Sequence, residues 1–336
     1  MTHTQLYTPE IFKPIMRRMI RSFHDGEFTW AGIASDFPDS IMSKIEKAEH
    51  DVVIAFNGDP WRYRNDLESF STGKKVFIIH PGHEHVRYKN GITELSFPDA
   101  YFLRQKTEVP FTPLGANLSY GFSCLNNRVA IHRTLLGCKL LEKDLLKSLI
   151  YSQGLFDYSE FWETEFPETV PDNYYEFKKM WPYKTIDEKE IYGSGMDGQL
   201  IVHPAFHDAY CHIVTETETE EFPYSRNINL PYVSEKSFKP FLSKQIPVLL
   251  ASRGQMTYLE GLGFQMMRDF LPDNFDNFNT MDKIDAIADI VAMGKEYAKD
   301  FYFSHIREIK HNYDLVNIDK VEQIALDSLR DFVKNV

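Results

Sequence analysis

The sequence predicts an α/β protein made of two Rossmann-like domains facing each other across a cleft. Three observations predict it. The chain has 336 residues, more than one core usually serves. Short apolar runs rich in Val and Ile are bounded by Gly, Pro or Asp, as buried parallel strands are. These runs alternate with amphipathic helical patterns, and the series starts twice.

The first domain is expected over residues 1–115. Residues 9–24 carry Ile11, Ile15, Met19 and Phe23 at helical spacing, with Arg17, Arg18 and Arg21 around them. A surface helix is the simplest account. "SIMSKIEKAEH" (40–50) reads as a second helix. "DVVIAFN" (51–57), "KKVFIIHPG" (74–82) and "DAYFLRQ" (99–105) read as strands. The segment 108–121 holds two prolines and two glycines without periodicity, and reads as the linker.

The second domain is expected over 116–315. "YGFSCLN" (120–126) reads as a strand. Residues 131–153 show a wide leucine-rich face and read as one long helix. Residues 157–195 are aromatic and acidic, with no periodicity to place them. "AYCHIVTET" (209–217) reads as a strand. Residues 230–250, "LPYVSEKSFKPFLSKQIPVLL", read as a corner, a helix and a strand. "YLEGLGFQ" reads as a short helix ending at Gly261 or Gly263, followed by a strand. Residues 281–316 and 321–333 read as helices, the segment 316–336 packing back on the first domain.

Composition narrows the function classes. Apolar and charged contents of 43% and 26% are those of an ordinary globular chain. A net charge of −12 disfavours a dedicated nucleic-acid binder, whose affinity rests on phosphate neutralisation. Cys124, Cys138 and Cys211 form no CxxC pair, so neither a disulfide framework nor a thiolate zinc site is expected. A signal peptide and a membrane span are not expected either, which implies a cytoplasmic protein without a membrane partner.

The charged residues at helix starts carry the chemistry. Ser234 suits the N-cap of a helix beginning at Glu235. Lys236 then lies in the first turn, where the helix dipole favours anions. A lysine there makes sense in front of an anionic ligand, and a neighbouring carboxylate can accept bonds from a ribose diol. A solvated Glu–Lys pair is the plain alternative. In "FSCLNNRVAIHR", Asn127 ends a strand, and Arg128 and Arg133 flank the next helix start; guanidinium forks suit phosphate oxygens. Glu216 stands at another strand end. Asp59, His80, His83 and Glu84 follow strands of the first domain, where a general base could face the second domain. Polar loop residues are the plain alternative for each. The "HPGHEH" histidines lack fixed ligand geometry, so no metal is expected.

"YVSEK", a helix and "IPVLL" together resemble the donor-binding signature of GT-B glycosyltransferases of the fucosyltransferase type. "CLNNR....R" is a looser match to the strand and phosphate-contacting arginine of that family, the arginine being Arg128 or Arg133. The C-terminal half also resembles glycosyltransferases of tailed phages and large viruses. The likeness covers about residues 120–295. It implies a GT-B arrangement and transfer of a sugar from a nucleoside-diphosphate sugar. Glu235 would contact the ribose and Lys236 the diphosphate, with arginines offsetting leaving-group charge so that no cofactor is required. The acceptor would be a glycan hydroxyl or, in the host cytoplasm of a phage, a hydroxymethylated DNA base. A non-catalytic nucleotide-binding interaction protein of the same descent is the alternative.

Overall fold

The computed structural model describes residues 20, 26–34, 43, 45–56, 68–70, 72–80, 86–96, 110–128, 130–156, 163–164, 167–184, 208–216, 219, 233, 235–316, 327 and 331. The chain divides into two compact units. One comprises Met1–Arg104, Met196–Gln199 and Asp319–Val336; the other comprises Gln105–Gly195 and Leu200–Ile318. Each contains a sheet of four parallel strands with one short antiparallel strand at an edge. The chain is therefore α/β, as the alternating pattern predicts.

In the first unit the strands are β1 (Phe28–Ala34), β2 (Asp51–Phe56), β3 (Val76–His80), β4 (Val86–Arg87) and β5 (Ile92–Ser96). Their order is β1-β2-β3-β5-β4, with β4 antiparallel. Val52, Ile54, Val76, Ile78 and Ile92 pack with Ile45, Phe70 and Tyr88 on one face. Val53, Phe77, Ile79 and Leu95, which alternate with them, are also buried. Burial on both faces explains why β2 and β3 read as continuous apolar runs. β5 lies at 92–96, not at 99–105; the latter segment is outside the described residues. "ITELS" gives a weak strand signal because it carries Glu94. That carboxylate is tolerated inside because the Tyr88 hydroxyl donates to it at 2.7 Å.

The second unit contains β6 (Tyr120–Arg128), β7 (Ile150–Phe156), β8 (Tyr183–Lys184), β9 (Ala209–Thr215) and β10 (Ile246–Leu250). Its helices are α1 (Ile131–Glu142), α2 (Tyr174–Lys179), α3 (Glu235–Leu242), α4 (Gln255–Gly261), α5 (Thr280–Ala292), α6 (Gly294–Ser304) and α7 (Ile306–Val316). Strand order is β10-β9-β6-β7-β8. The chain thus runs outward from β6 to β7 and β8, then returns to the other side of β6 as β9 and β10. Such a reversal opens a crevice at the carboxyl ends of the two strands beside it, here β6 and β9.

Helices cover opposite faces of this sheet. Tyr151, in register with Cys124, lies under Gly137 of α1. Gly121, of opposite parity to Cys124, lies under Lys295 and Ala298 of α6. All of β9 and β10 is buried.

The long helix expected over 131–153 divides. α1 ends at Glu142, Asp144 takes a left-handed φ of 54°, and Ile150 begins β7. Asp tolerates that conformation better than most residues. The apolar run around Leu149 fits helix or strand equally by periodicity, and pairing with β6 decides for strand. The strand expected after Gly263 is absent. The Asn312 side chain instead bonds both the N–H and the carbonyl of Gln265, at 2.7 and 2.8 Å, replacing a ladder partner. The helical pattern over 281–316 breaks at Gly294, whose φ is 83°, and at His305.

The segment read as a linker is tied to the second unit. The Tyr302 hydroxyl accepts from Leu114 N at 2.9 Å, and the Tyr210 hydroxyl donates to the Gly115 carbonyl at 3.1 Å. Among the described residues no helix is long and apolar enough to cross a membrane.

Candidate functional site

The crevice at the ends of β6 and β9 gathers polar groups from six elements, β6, β7, β9, α1, α3 and α4. Asn126 on β6 and Thr215 on β9 point to one side of the sheet. The Thr215 hydroxyl donates to Asn126 Oδ1, and Asn126 Nδ2 donates to Cys124 Sγ at 3.4 Å. Gln153 of β7 is in register with Asn126, and its Oε1 lies 3.1 Å from the Tyr151 hydroxyl. That hydroxyl also lies 3.3 Å from the Arg133 carbonyl, linking the row to the first turn of α1.

Glu216 follows β9 directly and is fully buried. Its N–H donates to the Leu250 carbonyl of β10 at 3.0 Å. Its carbonyl accepts from His132 Nε2 at 2.8 Å and from Arg133 Nη2 at 3.1 Å. Arg133 Nη2 also donates to the Thr215 carbonyl at 3.1 Å. On the side-chain end, Ser237 donates to Glu216 Oε1 at 2.6 Å, and Gln255 Nε2 donates to the Ser237 hydroxyl at 3.1 Å. One residue therefore joins the first turns of α1 and α3. The carbonyls at the end of a parallel strand need donors, and a helix-start arginine and histidine supply them here.

The electrostatics follow from this convergence. The His132 imidazole is lowered to about 3, first by burial and then by the charge of Arg133, with Lys236 adding to it; the bond to the Glu216 carbonyl opposes the shift. His132 is thus neutral, and its bond to a carbonyl requires the Nε2–H tautomer. The influence of Lys236 on His132 means that the positive charges of the two helix starts act on one point. α1 has Ala130 as its N-cap residue, without a side-chain cap and with no acidic residue in its first turn. Burial pushes the Cys124 and Cys138 thiols up to about 12 and raises that of Cys211, so none presents a thiolate at neutral pH.

The residues singled out in the sequence fall into three groups. Arg133 and Glu216 come together at this crevice, and Lys236 is carried beside them by the first turn of α3, whose Ser237 bonds Glu216. α3 begins at Glu235 as its capping pattern predicts; the backbones of Glu235, Asn127 and Arg128 are described, but their side chains are not, and Ser234 lies outside the described residues. Arg128 is the last residue of β6, three positions before Ile131, so it and Arg133 stand on either side of the start of α1. β6 continues to Arg128 past an irregularity at Asn126, and Arg128 pairs with Phe156. In the first unit, His80 ends β3 in register with Ser96, while Asp59, His83 and Glu84 lie outside the described residues, as does the His80 side chain.

Two roles change with the geometry. Glu216 is not laid open for a ligand; its carboxylate serves α3. Arg133, 6% exposed, spends Nη2 on two carbonyls, so it contributes positive potential and holds the end of β9. Sequence reasoning missed His132, Asn126, Thr215, Ser237 and Gln255. His132 carries a faint signal, standing next to Arg133 at a helix start. Ser237 and Gln255 carry none, because their partners are distant in the chain.

The glycines of "RGQMTYLEGLGF" serve turns, as their lack of a phosphate-loop pattern implies. Gly254 and Gly263 take φ of 74° and 94° on either side of α4. The first turn of α4 is closed by Asp276, which accepts from Met256 N, Thr257 N and the Thr257 hydroxyl at 2.9, 3.0 and 2.7 Å. Among the described residues no group of three or more His, Cys, Asp or Glu converges as a metal site. A groove beside α5 carries Asp269, Asp282, Asp285 and Asp289. Three of them are paired within the chain, to His305, Lys139 and Lys143. No protein-family model, curated protein or solved structure matches this chain.

Proposed function

We propose that the protein is a glycosyltransferase that moves a sugar from a nucleoside-diphosphate sugar to an acceptor hydroxyl. The observation that supports this most is the meeting of two cationic helix starts at Glu216, at the strand reversal of a doubly wound sheet. In this reading Lys236 faces the diphosphate and Glu235 the ribose. Arg133 adds positive potential from behind, and Ser234, Asn127 and Arg128 would be the remaining donor-binding residues. Positive charge fixed in place before reaction stabilises the leaving diphosphate without the cost of reorganising solvent. A base from Asp59, His80, His83 or Glu84 would take the acceptor proton if the anomeric centre inverts. The acceptor is a glycan or a hydroxymethylated base in duplex DNA. The two are separated by binding of modified and unmodified duplex across a salt titration.

A thermal-shift screen of UDP-, GDP-, CMP- and dTDP-sugars tests the reading, followed by transfer and donor-hydrolysis assays. One sugar nucleotide should raise the midpoint, and Lys236→Ala should lower transfer by about 10² or more while the protein stays folded. Transfer by Lys236→Ala at the wild-type rate would refute the assignment. Binding with neither transfer nor donor hydrolysis would favour the nucleotide-binding interaction protein instead.

A further inference from the structure

We infer that Ser237, held between Gln255 and Glu216, is a positioning residue for Lys236. The inference rests on the donor-site reading above and adds what that reading lacks, a reason for the lysine to be fixed.

The argument begins with α3 itself. The helix contains Pro240. Proline has no N–H, so the bond that residue 240 would return to the Lys236 carbonyl cannot form. The first turn of α3 is thereby deprived of one of its own ties. An external seat replaces it, one residue along the chain. The Ser237 hydroxyl donates to Glu216 Oε1 at 2.6 Å and accepts from Gln255 Nε2 at 3.1 Å. Ser237, Gln255 and Glu216 are 0%, 1% and 0% exposed. Water does not compete for such bonds, and each has a single direction, from Gln255 through Ser237 to the carboxylate.

The far end of the seat is rigid. The Glu216 main chain is bonded to β10 through Leu250 and to α1 through His132 and Arg133. The position of Lys236 is therefore set against the same carbonyl that holds α1. A lysine has four rotatable carbons and no planar fork, so the protein controls its charge mainly through the backbone that carries it. A small displacement of that backbone costs affinity and rate.

The test is a double-mutant cycle on the full-length chain. UDP, GDP and inorganic pyrophosphate are titrated calorimetrically into wild type, Ser237→Ala, Lys236→Ala and the double variant. Ser237→Ala should weaken diphosphate binding about tenfold in the wild-type background and have almost no effect once Lys236 is absent. Gln255→Met, which removes the donor to Ser237 at similar volume, should show the same dependence on Lys236 with a loss of about threefold, and it carries the test if Ser237→Ala does not fold. Equal losses in both backgrounds, or no loss in either, would overturn the positioning role while leaving the donor site standing. Failure of the wild type to bind any of the three probes would overturn both, as would full affinity in Lys236→Ala.

Discussion

Gly137 sits inside α1, where glycine is about 1 kcal/mol less favourable than alanine. From the sequence, Gly137→Ala should stabilise. The structure reverses the sign. A Cβ at this position would stand 2.2 Å from Phe177 Cζ, 2.5 Å from Phe177 Cε1 and 2.8 Å from the Tyr151 hydroxyl. Ordinary carbon contacts are about 3.5–4 Å, so the ring must move by more than about 1 Å. It has little room to do so. Phe177 is fully buried and meets the rings of Tyr151 and Trp181 edge-on, at 6.3 and 6.0 Å. Forcing a methyl into a packed core costs about 1–3 kcal/mol and can cost more when neighbours cannot yield. Set against the helix gain of about 1 kcal/mol, Gly137→Ala should cost up to about 2 kcal/mol net. Denaturant unfolding followed by fluorescence and circular dichroism measures this as a lower midpoint at unchanged slope. Phe177→Leu shortens the offending ring, so adding Gly137→Ala to it should be neutral or stabilising. A raised midpoint for Gly137→Ala in the wild-type background would refute the packing argument. The same contact links stability to the site, because the displaced Tyr151 hydroxyl lies against the Arg133 carbonyl.

Two further predictions concern acid and the cap of α4. His132 and His212 are both lowered to about 3 by burial. Their folded values lie below the unfolded value of about 6.5, so between these limits the unfolded chain binds more protons and stability falls as pH falls. His132 faces Arg133 and Lys236, and His212 faces Lys239. Each histidine should cost about 2 kcal/mol between pH 6.5 and 5. Unfolding midpoints across that range should drop, and His212→Gln should flatten the slope; midpoints that do not change with pH would contradict the burial argument. Asp276→Ala removes the acceptor for Met256 N and Thr257 N and the buried partner of Arg268 at 3.5 Å. The loss should be about 1–3 kcal/mol by denaturant midpoint, and an unchanged midpoint would show that the cap contributes nothing.

The α/β class was legible in the sequence for a physical reason. Strands buried on both faces are largely apolar along their length, as in "VVI" (52–54), "VFII" (76–79) and "IPVLL" (246–250), and helices packed on one side show a stripe. The start of α3 at Glu235 was legible too, because the residue types that suit a helix start are neighbours in sequence. So was the concentration of positive charge at Arg133 and Lys236, since charges near a helix start can be read along the chain. Tertiary structure alone decided the rest. Whether Leu149 and Ile150 continued a helix or began a strand depended on β6 being alongside. Whether Gln265 joined a strand depended on Asn312, distant in the chain. That Arg133 and Lys236 belong to one place depended on β9 returning beside β6, which puts Glu216 between two helices separated by about a hundred residues of chain. Periodicity, caps and charge are properties of neighbours in sequence, whereas Ser237, Gln255 and Glu216 acquire their role only from neighbours in space.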